Sequence, residues 1–112
     1  MALQIISQEH ALSHVKEFGE SCSAKFVGKV ISFPLEKEMY ELDGATMRTD
    51  DNEVLPEGTW CLVIRVELID IGGLDTLYIG FQLLYEEKFV WVIMDMNPKT
   101  RFSDGYKLLG ER

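Results

Sequence analysis

Cysteine, cationic side chains and long apolar runs are all scarce in this chain. Two cysteines, Cys22 and Cys61, cannot build the multi-bridge framework of small secreted domains, so reduced thiols in a core are expected. Eleven basic residues stand against 19 acidic ones, a net charge of −8. That balance opposes binding to nucleic acid or to an anionic membrane, because both rely on cationic side chains that displace counterions. The longest apolar run, Phe89 to Met94, is far below the ~20 residues of a membrane-spanning helix. The start, Met1 to Ser7, lacks the basic segment and the apolar length of a secretory signal, so a cytoplasmic location is expected. There is no internal repeat and no low-complexity segment.

Catalytic and metal-binding patterns are also missing. His10 and His14 lie four apart on an expected helix and could face one ion, but no local residue supplies the third ligand that zinc requires. Asp50-Asp51-Asn52-Glu53 lacks the alternating ligands and the glycine of a calcium loop. Gly72-Gly73, between Asp70 and Asp75, is not followed by a helix with Lys-Ser/Thr and reads as a turn, not a phosphate cradle. Neither a nucleophile with its base nor a pair of carboxylates set close together is identifiable. No enzymatic activity, cofactor or metal is therefore expected.

What the chain does contain is enough for a core. Its 112 residues are 46% apolar, with six Phe, four Tyr and two Trp. A single domain over 1–112 is expected, burying roughly 60–70% of its unfolded surface. Residues 7–19 predict a helix, with Ser7 as N-cap, Gly19 as stop, and Ala11, Leu12, Val15 and Phe18 on the buried stripe. Lys25 to Phe33 reads as a strand. The segment from Pro34 to Leu42 fits either a short helix or an edge strand, and Thr46 to Arg48 a short strand. Residues 44–58 as a whole read as a polar connection, in which Asp50-Asp51-Asn52-Glu53, Pro56 and Gly58 look solvated.

The strongest pattern covers the next 38 residues, from Thr59 to Met96. Thr59 to Ile69 alternates, with Trp60, Leu62, Ile64, Val66 and Leu68 assigned to the buried face. Thr76 to Tyr85 alternates again, Glu86-Glu87 makes a tight connection, and Lys88 to Met96 is a third strand, apolar on both faces. The short connections predict an antiparallel meander. The expected fold class is α+β: an N-terminal helix, with room for a second short one, packed on a twisted antiparallel sheet of four to six strands that ends in a C-terminal meander.

Charge is unevenly spread along the chain. Residues 33–58 carry a local balance of −6 and residues 67–87 a balance of −5, while the tail from 97 is slightly basic at +2. Solubility alone accounts for such a face. A functional account makes it the docking surface for a basic protein, and this nominates Glu36, Glu38, Glu41, Asp43, Asp50, Asp51, Glu53, Glu86 and Glu87. Tyr40 and Tyr85 stand among these acids as anchors, since tyrosine is enriched at interface hot spots.

In size, charge, absence of a signal and absence of a catalytic set, the chain resembles the small acidic immunity proteins of bacterial contact-dependent toxin-delivery systems. The resemblance covers the whole chain and carries no motif, so it transfers no residue. It implies a basic toxin domain, nuclease-like in many cases, as the partner that the acidic face masks. Monomer or weak dimer is the expected state in isolation. Two other readings remain open: a small-molecule-binding cone or barrel, suggested by Trp60, Phe81 and Trp91, and an oligomeric accessory protein.

Overall fold

The computed structural model describes residues 3–6, 13–44, 46–70, 78–95 and 105–110. In chain order the elements are β1 (Leu3–Ile5), α1 (Ser13–Phe26), β2 (Val30–Ser32), β3 (Lys37–Asp43), β4 (Thr46–Leu55), β5 (Cys61–Asp70), β6 (Tyr78–Tyr85), β7 (Lys88–Asp95) and β8 (Lys107–Leu108). The strands run in the order β1-β4-β3-β7-β6-β5-β2-β8, and β1 also pairs with β5. That extra pairing closes β1, β4, β3, β7, β6 and β5 into a six-stranded antiparallel barrel. The fold is therefore mostly β, and the expected α+β arrangement of a helix on an open sheet is incorrect.

Closure depends on a short strand. β1 places Leu3 and Gln4 opposite Met47 and Thr46 at the start of β4, and Gln4 and Ile5 opposite Asp70 and Ile69 at the end of β5. The Ile6 amide extends this by donating to the Leu68 carbonyl at 2.9 Å. Joining the first residues of one long strand to the last residues of another makes the ring strongly staggered, the geometry a small barrel needs.

The ring separates two cores. Its inner face holds Met47, Ile69 and Trp91, with Ile5, Tyr40, Leu42, Tyr78 and Ile93 packed against them, so all six ring strands contribute. Gly80 makes room there: a Cβ at this position would lie 3.1 Å from Ile69 Cδ1 and 3.4 Å from Trp91 Cε3. On the outer face of β5, β6 and β7 lies a larger core containing Val63, Val66, Ile79, Phe81, Leu83, Val90, Val92 and Met94. α1 covers it with Cys22 and Phe26, one turn apart, aided by Ile31, Phe33, Tyr106 and Leu108. Phe26 packs edge-on against both Phe81 and Tyr106, with ring centroids 5.0 Å apart in each case. β7 is thus covered on both faces from Val90 to Met94, as its doubly apolar sequence implies, while Phe89 at its start is exposed.

Several boundaries differ from the sequence expectation. α1 runs through Gly19 to Phe26, taking in residues read as the start of a strand. Gly19 is a contact and not a stop, since its bare Cα lets the helix approach Leu68, whose Cδ1 would be 3.3 Å from an added Cβ. The chain instead turns at Gly28, in the left-handed region at φ 82, where its amide donates to the Val63 carbonyl. Phe18, expected on the buried stripe, is exposed. Ser7, Glu9, Ala11 and Leu12 lie outside the described residues. Within the segment 34–42 the residues from Lys37 form β3, which lies between β4 and β7 and is neither a helix nor an edge strand, and β4 extends into the supposed polar connection as far as Leu55. Residues 50–53 of β4 stand opposite Met39 alone, a bulge that takes the acidic run out of the pairing ladder. A second bulge, between Val63 and Arg65, shifts the alternation of β5. Cys61 and Val63 are buried as a result, while Trp60 and Leu62, assigned to the buried face, are exposed.

Candidate functional site

The β6–β7 hairpin ends in Glu86 and Glu87, both non-glycine residues at positive φ, 48° and 65°. Two left-handed residues in a two-residue turn suit the right-handed twist of the flanking strands, and Asn-Gly satisfies them best. A glutamate there carries a conformational cost of roughly 1–2 kcal/mol. The turn nonetheless presents two exposed carboxylates at its tip.

Beside the tip a recess of about 220 Å3 opens between the β3–β4 and β6–β7 hairpins. Met39, Val54 and Tyr85 supply its apolar walls, and Glu53, Glu86 and Lys88 its charged rim. The two acidic segments, far apart in sequence, meet here through Glu53 and Glu86. Lys88 donates to Glu53 Oε2 at 2.8 Å and neutralises part of that charge. The Tyr85 phenol is raised above its ordinary range by burial and then by the neighbouring Glu86 carboxylate.

The other nominated residues are spread over the ring. Glu36 and Glu38 are exposed at the entry to β3. Glu41 and Asp43 are exposed further along it, and Asp43 pairs with Arg48 at 3.3 Å. With both side chains about two-thirds exposed or more (66% and 71%), that pair adds little stability. Tyr40 is half-buried, packed in the inner core, and donates to Glu38 Oε2 at 3.2 Å. Burial first, then Glu38, raises its phenol above the ordinary value. Its ring thus serves the barrel interior. The side chains of Asp50 and Asp51 lie outside the described set.

Sequence reasoning missed the exposed apolar side chains Leu62, Leu84 and Phe89, with Trp60 nearby. The available signal was the position of Leu84 and Phe89 on either side of Glu86-Glu87, which makes them cross-strand partners. For Trp60 and Leu62, the bulge in β5 is not visible in the alternation.

Among the described residues no group of three or more His, Cys, Asp or Glu is placed to hold a metal ion. His10 is outside the described residues, and so is the side chain of His14. Cys22 and Cys61 are both unpaired and buried in the larger core. Burial pushes the Cys22 thiol up to about 11, with Lys25 offsetting part of the effect, and burial also raises Cys61. Thiols held protonated in this way are poor nucleophiles. Among the described residues no helix is long and apolar enough to cross a membrane.

Compared with known families, curated proteins and solved structures, the chain matches none.

Proposed function

We propose that this protein is a stoichiometric protein-binding inhibitor of the immunity kind, which neutralises a basic toxin domain by masking its surface. One observation carries the reading: Glu53 and Glu86, from two acidic segments, share one recess with Tyr85, and Glu87 adds a further exposed carboxylate at the same hairpin tip. Acidic groups gathered at one end of a −8 molecule speed encounter with a cationic surface and fix its orientation. The recess suits a lysine or arginine side chain, whose stem packs on Met39 and Val54 while its head meets Glu86. Lys88 already occupies part of this role from within the chain.

The small-molecule reading has less support. Among the described residues, Trp91, Ile69, Met47 and their neighbours pack together inside the ring. Phe81 and Trp91 belong to different cores, and Trp60 is exposed. The recess, at about 220 Å3, is below the roughly 300–1,000 Å3 usual for ligand pockets.

The test is capture from a lysate of the source cell on the immobilised protein, beside a variant with Glu36, Glu38, Glu41, Glu53, Glu86 and Glu87 changed to Lys. A basic protein retained by the first and lost from the second is expected. Recovery of the same protein by both, or of an acidic one, overturns the reading.

A further inference from the structure

We propose that the exposed row Leu62, Leu84 and Phe89, with Trp60 at its end, anchors a polypeptide segment of the partner in which apolar side chains alternate with lysine or arginine. The inference rests on the preceding reading of a basic protein partner and adds where, and by what chemistry, that partner is held.

The row follows from the strand register. Leu62 stands opposite Leu84, and Leu84 opposite Phe89, so three large side chains line up across β5, β6 and β7 at roughly 5 Å spacing. They are exposed by 37%, 40% and 60%, and Trp60, two residues before Leu62, by 47%. Strand alternation puts Phe89 on the same face as Trp91, so the row continues the inner face of the ring beyond its mouth. Single exposed apolar residues are ordinary, but a contiguous row of them on a sheet marks a contact surface.

The surrounding charge selects the occupant. Arg65, on the face of the row, is already engaged: it lies 5.5 Å from the Trp91 ring centroid and donates to Glu67 at 2.7 Å. Glu86 and Glu87 cap the very hairpin that carries Leu84 and Phe89, and Glu57 is three residues before Trp60. A second copy of the chain docking by this row brings a second acidic tip with it. An anionic membrane is repelled for the same reason. A segment with apolar residues to meet the row and cations to meet the tip satisfies both features. The apolar row then supplies the desolvated centre of the interface, and the carboxylates its rim.

The experiment titrates the full chain with two short synthetic peptides of identical leucine and phenylalanine content, one spaced by lysine and one by glutamate. Binding is followed by tryptophan emission, to which the exposed Trp60 responds. The lysine peptide is expected to bind saturably with a blue shift, and the glutamate peptide not to bind. Leu84→Ser with Phe89→Ser should weaken the lysine peptide by about tenfold or more, and Trp60→Ser, outside the hairpin, should remove the blue shift. Both variants change exposed side chains, and an unchanged thermal melt confirms that they are folded. If the double serine variant binds like the parent while Glu86→Lys with Glu87→Lys abolishes binding, the anchoring role is overturned and the basic-partner reading survives. Equal binding of both peptides overturns the basic-partner reading itself. A concentration-dependent dimer in sedimentation, abolished by the serine variant, assigns the row to a second copy and overturns the proposal.

Discussion

Glu86 and Glu87 sit where the backbone favours Asn and Gly, and stability alone does not select them. Glu86→Asn with Glu87→Gly should raise unfolding stability by about 1 kcal/mol in urea titrations, and should slow association with the partner at low salt. A less stable variant contradicts the strain argument. The buried thiols give a second prediction. The folded-state pKa of Cys22 lies near 11 against an ordinary 9.0, so the folded protein holds its proton more tightly than the unfolded chain. Stability is then intact below about pH 9 and is lost as pH rises towards 11, with Cys61 acting in the same direction. Cys22→Ala should flatten that alkaline decline in denaturant midpoints measured from pH 8 to pH 11, and an unchanged decline counts against it. At this scale the sequence was partly legible. The tight Glu86-Glu87 connection could be read from the two apolar runs around it, whereas the interior role of Tyr40 could not, because it depends on closure of the ring.

At the scale of elements, Gly80 and Gly19 mark two close approaches. Gly80 faces Ile69 and Trp91 inside a narrow ring, where neighbours have little room to yield. Gly80→Ala should cost about 1–3 kcal/mol through overpacking. Gly19→Ala meets only the end of the Leu68 side chain, and the gain of about 1 kcal/mol in helix propensity offsets that contact. Its net effect should be near zero, so the two variants differ in urea midpoint. Similar losses at both positions would show that the ring interior is not the tighter of the two. The strands of the β5–β7 meander were legible as apolar runs between short connections, although the bulge between Val63 and Arg65 breaks the alternation of β5 and β7 is apolar on both faces. The start of β4 was legible at Thr46 to Arg48, whereas its continuation through the bulge at residues 50–53 was not, since four polar residues in a row imitate a loop. The helix end was misjudged because a glycine within a helix can serve a packing contact as well as a stop.

At the scale of the whole molecule, three residues of β1 convert a curled sheet into a ring. No local pattern announces this, because so short a strand carries no periodicity, and only the pairing of β1 with both β4 and β5 reveals the barrel. Charge is the property that survives from sequence to structure. The −8 balance excludes few partners when taken as a total, but the fold brings Glu53 and Glu86 to one recess, with Glu87 next to them at the tip of the hairpin that carries Leu84 and Phe89. The most direct test of a basic-partner inhibitor is the association rate constant between this protein and the captured partner, measured by stopped-flow across ionic strength. The account predicts a rate that falls steeply with added salt, and a much lower, salt-insensitive rate when Glu53, Glu86 and Glu87 are changed to Lys. A rate independent of salt, and equal in the parent and the reversed variant, contradicts it.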